Sequence, residues 1–151
     1  MRTPSGTRSP SAVRRALLSL LLALAPLAAG AQAVSREDAA AVRKMIEAQI
    51  DAFRKDDAPR AFSYATAGIR MTFGTPENFM EMVRAQYPVV YRPRSVEFGA
   101  PELAGPDDIV QPVRMTDDDG RAWLALYPME RGADGVWRTN GCQLRRIGQQ
   151  T

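Results

Sequence analysis

The 151-residue chain contains no histidine and a single cysteine, Cys142. The first absence removes the usual general base near neutral pH and the commonest metal ligand. Ser-His and Cys-His nucleophile systems are excluded outright. With one cysteine and no histidine, a zinc site would need a carboxylate cluster, and no such spacing occurs. An internal disulfide is impossible, so stability rests on packing. Cys142 itself reads as a small buried hydrophobe rather than a cross-link between chains. The sequence also lacks a glycine-rich phosphate loop, internal repeats and low-complexity segments. No metal and no cofactor are expected.

A long uninterrupted apolar run is missing as well. The run from Ala16 to Ala25 is followed by Pro26 and Gly30, short of the roughly 20 residues a spanning helix needs. It comes after Arg2, Arg8, Arg14 and Arg15 and before a small-residue stretch ending Ala31-Gln32-Ala33. That order is the pattern of a secretory signal peptide, with cleavage between Ala33 and Val34 and a variant cut after Ala31. Arg14-Arg15 loosely matches a twin-arginine signal, but adjacent arginines are common in ordinary signals. No cysteine adjoins the cut to carry a lipid. The expectation is a periplasmic or secreted protein with no stable membrane anchor after cleavage.

Cleavage changes the electrostatics. Residues 1–33 hold four of the 20 basic residues and none of the 17 acidic ones, leaving 16 against 17. A net charge of −1 gives no clustered basic field, so nucleic acid is not an expected partner. Residues 34–151 are enough for one domain around one core.

The mature chain reads as helices followed by strands. Ser35 and Asp38 resemble a capping box with Asp replacing the usual Glu or Gln. Ala39, Val42, Ile46, Ile50 and Phe53 then recur at helical spacing, with Met45 and Gln49 alongside, predicting a helix over about Arg36 to Lys55. Asp56-Asp57-Ala58-Pro59 begins a shorter helix to about Ala65, and Gly68 to Phe73 reads as an irregular or single-turn link. Thr75-Pro76-Glu77 supplies an N-cap, a first-turn proline and a first-turn acid for a third helix that Pro88 ends.

After Pro88 the period becomes two. Strands are predicted at Ser95–Gly99, Ile109–Thr116, Ala122–Arg131 and Val136–Arg145. In the third, Trp123, Ala125, Tyr127 and Met129 share one face and Leu124 and Leu126 the other, so both faces are covered or one lines a cavity. Trp137 and Thr139 have the opposite parity to Cys142 and Leu144, which predicts a β-bulge at Asn140-Gly141. Pro112 and Pro128 suit edges or bulges. The fold class is α+β, with helices packed in the concave side of a curved, four-stranded antiparallel sheet.

This order resembles the cystatin-like group that includes the nuclear-transport-factor-2-like cone. Local segments carry a more specific resemblance: Ala61-Phe62-Ser63, Gly68-Ile69-Arg70, Phe73 to Phe79, Tyr91 to Val96, Trp123 to Tyr127, and Trp137-Arg138 leading to Gly141-Cys142. They look like an exported bacterial group, domain-of-unknown-function family 4864, over roughly Glu37 to Arg146. The resemblance implies a fold and an export route and brings no catalytic residues.

Asp117-Asp118-Asp119-Gly120 lacks the ligand spacing of a calcium loop and reads as a hairpin turn. Gly74-Thr75-Pro76 reads as a helix cap rather than an anion site. The resembled cone often holds a small molecule at its open end. Tyr64, Tyr87, Tyr91, Trp123 and Tyr127 are the amphipathic aromatics available to line it, with Arg84 and Arg94 as polar handles. The leading reading is therefore a non-catalytic exported domain that binds a small molecule. One alternative is a histidine-free hydrolase, isomerase or dehydratase using Asp51, Glu97, Glu130 or a tyrosine, which requires burial to raise a carboxyl pKa. Another is an envelope module that associates through its sheet, as a homodimer or with a second protein.

Overall fold

A computed structural model describes residues 32–148; the basic and apolar stretch over 1–31 lies outside the described residues. Ala33 and Val34 precede the first helix in irregular backbone, with Ala33 exposed. Five helices come first: α1 (Arg36–Arg54), α2 (Ala58–Ser63), α3 (Ala67–Phe73), α4 (Pro76–Gln86) and α5 (Pro88–Tyr91). Six strands follow: β1 (Ser95–Phe98), β2 (Glu102–Gly105), β3 (Asp108–Thr116), β4 (Ala122–Arg131), β5 (Trp137–Thr139) and β6 (Gln143–Ile147). Among the described residues, no helix is long and apolar enough to cross a membrane.

The helix starts follow their caps. Ser35 Oγ accepts from the Asp38 backbone N–H at 3.0 Å, Asp57 caps α2 at Arg60, and Thr75 caps α4 at Asn78. The stripe Val42, Ile46, Ile50 and Phe53 is at most 3% exposed, so α1 is the helix around which the core closes. The helices differ from expectation in three places. Gly68 to Phe73 is helical, because Thr66 accepts from the Ile69 N–H and starts a seven-residue turn that Gly74 ends at φ +74°. Pro88 ends α4 but also occupies the first turn of α5, where its missing N–H costs nothing. The second helix stops at Ser63, because Ala65 and Thr66 bridge to Thr139 instead.

The sheet has four rows, as expected, but the two outer rows are each broken into two strands. β1 and β2 both pair with β3, and β5 and β6 both pair with β4. The β5 and β6 registers on β4 differ by one residue: Met129 opposes Thr139, whereas Leu126 opposes Gln143. One extra residue therefore lies between them, at the predicted bulge, and the single expected strand Val136–Arg145 becomes two. The short β2 was not expected; it is four exposed or half-exposed residues with no apolar alternation.

Pro112 and Pro128 sit in the two central strands rather than at an edge, opposite Leu126 and Val110. Their carbonyls accept from Gly99 and Asn140, at the breaks of the outer rows. A strand residue's N–H and C=O point to the same side. Each missing N–H therefore faces a break, where no ladder bond is lost. The breaks let the sheet curl into a half-barrel around α1.

Surface carboxylates tie the ends together. Asp38 accepts from the Ser35 hydroxyl, the Trp137 indole and Arg131. Asp117 accepts from the Trp123 indole and from the backbone of Asp119 and Arg121, which makes the Asp117–Gly120 segment the expected hairpin turn. These bonds hold Asp38 and Asp117 below the usual carboxylate range, and Arg138 holds Asp134 at about 2. A carboxylate whose pKa falls on folding stabilises the native state above its unfolded value and loses that contribution as pH drops through the folded one. The thermal midpoint is expected to be flat from about pH 7 to 5 and to fall between about pH 4 and 2. Circular-dichroism melts across this range test it, and a flat profile to pH 2 contradicts it.

Candidate functional site

The helices do not fill the concave side of the sheet. A cavity of about 310 Å³ remains between α1, α3, α4 and α5 on one side and β4, β5 and the β5–β6 link on the other. Its helical walls include Phe53, Ile69, Phe73, Phe79, Met82, Val83 and Val90. Phe79 stands at their centre, with ring centroids 6.0 Å from Phe53 and 5.6 Å from both Phe62 and Phe73. These tilted and edge-on pairs lock one wall in place.

The polar groups around the cavity are neutral. Gln49 is buried on α1 and its side-chain N–H donates to the Ala61 carbonyl at 3.0 Å. Its own carbonyl oxygen has no donor among the described residues. Thr139 donates to the Tyr64 carbonyl, and Gln86 stands exposed at the mouth. Among the described residues, no charged side chain lines the cavity.

Tyr127 and Cys142 form one polar corner of the cavity. Tyr127 is 1% exposed, the largest of the fully buried side chains, and its hydroxyl has no hydrogen-bond partner among the described residues. The Cys142 thiol is the polar group beside it and acts on its titration. Burial is the main cause that drives Tyr127 well above the ordinary phenol value, and burial pushes the Cys142 thiol up to about 12. Both groups are protonated at any physiological pH. The thiolate is the reactive form, so Cys142 is expected to react with a thiol reagent at pH 8 about a thousandfold more slowly than an exposed cysteine. Labelling should become fast in denaturant. Equal rates in the native and denatured protein would contradict this burial.

Of the seven expected lining residues, Tyr87 and Tyr127 border the cavity and five do not. Tyr64 turns its hydroxyl to Arg60 Nε at 3.0 Å. Tyr91 and Arg84 belong to a surface cluster on Asp56, whose carboxylate accepts from Tyr91, from Arg84 at 2.8 Å and from Arg92 at 2.9 Å. Arg94 borders a separate shallow groove with Arg43 and Phe98. Trp123 shares the inner face with Tyr127 but lies four residues back along β4, where Asp117 takes its indole N–H at 2.9 Å. The acids considered for catalysis are also elsewhere. Asp51 pairs with Lys55 at 2.9 Å, a contact that lowers its pKa, and Glu97 and Glu130 are exposed.

Gln49 is the polar wall residue that the sequence placed alongside the apolar stripe of α1, without a role at a site. Its signal was a polar side chain beside the apolar stripe of α1. Phe79, Met82, Val83 and Cys142 carried no signal that separates a cavity wall from a filled core.

A curled antiparallel half-barrel closed by helices, with an apolar cavity at its mouth, is the nuclear-transport-factor-2-like α+β fold. A solved ketosteroid isomerase-like protein from Erwinia carotovora atroseptica is similar to this chain. Its TM-score is 0.52 at 14% identity, over 76% of this chain and 100% of that one. No curated protein matches the chain. The model of the domain of unknown function DUF4864 matches residues 35–151, and the chain belongs to that family.

Proposed function

We propose that the domain is exported and binds a small, neutral, largely apolar molecule in the cavity, without catalysis. The observation that carries the binding reading is the cavity itself: about 310 Å³, walled by aromatic and aliphatic side chains and, among the described residues, free of charged groups. Concave, mostly apolar sites of a few hundred Å³ with a few fixed polar groups suit small ligands. An ionic ligand would lose its hydration there and meet no counter-charge.

The non-catalytic reading rests on the chemistry of the walls. General acid–base catalysis needs a group that exchanges protons near the working pH. Tyr127 and Cys142 are both pushed away from neutrality, and Asp51, Glu97 and Glu130 stand outside the cavity. The neighbouring fold's name, ketosteroid isomerase-like, does not supply the missing acid or base. Export is supported by the basic, apolar and small-residue order of residues 1–33.

Titration with N-phenyl-1-naphthylamine, a neutral apolar fluorophore, tests the binding reading. Saturable enhancement at one probe per chain is expected. Met82→Trp adds a ring at a half-buried wall position and is expected to weaken binding about tenfold or more while the fold is retained. Non-saturable enhancement, or binding indifferent to Met82→Trp, contradicts the reading.

A further inference from the structure

Gln49 lies alongside the apolar stripe of α1, 3% exposed, and with Phe53 one turn further on it is the contribution of α1 to the cavity wall. An amide is costly to bury unless both of its ends are satisfied. The nitrogen end is satisfied by a carbonyl that α2 leaves over. That helix stops at Ser63, and the Ala65 N–H donates to Phe62 rather than to Ala61. The Ala61 carbonyl accepts from Gln49 Nε2 at 3.0 Å instead. A carbonyl can only accept, so this bond fixes which end of the amide is nitrogen and which is oxygen.

The oxygen end has no donor among the described residues. Tyr127 Oη is the polar side-chain atom that is both sealed and unpartnered among them. The Gln49 oxygen is not sealed, and the space its side chain borders is the cavity. We infer, on the binding reading proposed above, that Gln49 Oε1 is a recognition group and that the occupant is an apolar molecule with one neutral hydroxyl or N–H group that donates to it.

The polar side chain on the facing wall has the same polarity. Thr139 commits its hydroxyl hydrogen to the Tyr64 carbonyl at 3.3 Å, so its oxygen can only accept from an occupant. Cys142 adds no more than a weak thiol donor. A ketone or ether oxygen set against Gln49 Oε1 and Thr139 would face acceptor with acceptor and lose its bond to water without replacement. A hydroxyl exchanges its bond to water for one to Gln49. An ammonium group also donates, but among the described residues no carboxylate lines the cavity to hold its charge. The donor is therefore neutral.

Displacement of N-phenyl-1-naphthylamine by 1-naphthol and by 1-methoxynaphthalene, at about pH 6.5 where the naphthol is neutral, tests this assignment. The two compounds share an apolar body and an oxygen, and only the first has a donor. 1-Naphthol is expected to bind about five- to tenfold more tightly. Gln49→Met keeps the length of the side chain without its acceptor and is expected to bring the ratio to about one. The extra methyl of the ether is common to both measurements, so the change in ratio reads the hydrogen bond rather than size. If Gln49→Met fails to fold, carbon-13 NMR of the Gln49 side-chain carbonyl in the unaltered protein carries the test. Its resonance is expected to move further downfield with 1-naphthol than with the ether. Equal affinities, a tighter ether, failure of 1-naphthol to displace the fluorophore, or a ratio that Gln49→Met leaves unchanged overturns the role of Gln49 while the cavity reading stands. Failure of all three compounds to bind saturably overturns both.

Discussion

Phe79→Ala is expected to lower the free energy of unfolding by about 3–5 kcal/mol. The side chain is 6% exposed and its ring meets those of Phe53, Phe62 and Phe73. Truncation removes the transfer energy of the ring and the favourable tilt of three aromatic pairs. The space it leaves adjoins a cavity already present, so the surroundings have little to collapse onto. That places the cost toward the upper part of the range, a fall in thermal midpoint of roughly 10 °C or more. Phe79→Leu keeps most of the volume and should cost less than half as much. Denaturant unfolding of the three proteins measures both. A loss below about 1 kcal/mol for the alanine variant would mean that the wall is not packed as described.

Tyr127→Phe is expected to act in the opposite direction and stabilise the ligand-free protein. Replacement of a buried tyrosine ordinarily removes a hydrogen bond. Here the hydroxyl is sealed from solvent with no partner among the described residues, and a buried polar group left unsatisfied costs about 1–3 kcal/mol. Phenylalanine keeps the ring that fills the core and removes the unsatisfied oxygen. An increase in unfolding free energy of about 1–3 kcal/mol follows, with a rise of several degrees in midpoint. Natural chains retain such costly groups chiefly where function uses them. A destabilised Tyr127→Phe protein would show that the hydroxyl is satisfied in solution and would remove this cost from the account.

The two variants separate what was legible in the sequence from what was not. The α1 stripe of Val42, Ile46, Ile50 and Phe53 and the Thr75-Pro76-Glu77 helix start are local signals, readable because period and cap chemistry lie within a few residues. The bulge after Thr139 was readable because parity reversed between Trp137 and Cys142. β2 was not, since four residues without apolar alternation become a strand only through pairing with β3. α3 was read as no more than a single-turn link, because it has no apolar stripe of its own; the Thr66 hydroxyl supplies the cap that starts it.

The site was less legible than the fold. Tyr87 and Tyr127 were named as cavity residues and border the cavity, but Trp123 has the same parity as Tyr127 and does not. Parity gives the face of a strand, while the position of the cavity along that face depends on sheet curl and on where α3 and α4 lie. Tyr64 and Tyr91 are amphipathic aromatics like Tyr87, yet Arg60 takes one hydroxyl and the Asp56 cluster the other. Such long-range partners leave no trace in local spacing.

Native mass spectrometry of the gently purified protein distinguishes an occupied cavity from an empty one. A discrete excess mass of one small molecule per chain is expected, lost on denaturation and absent or much reduced in Met82→Trp. Identification of that mass as a neutral, largely apolar compound would agree with the uncharged walls around Gln49, Phe79 and Tyr127. A bare chain that also fails to bind the neutral fluorophore, or a bound molecule that is strongly ionic, would contradict the proposed binding.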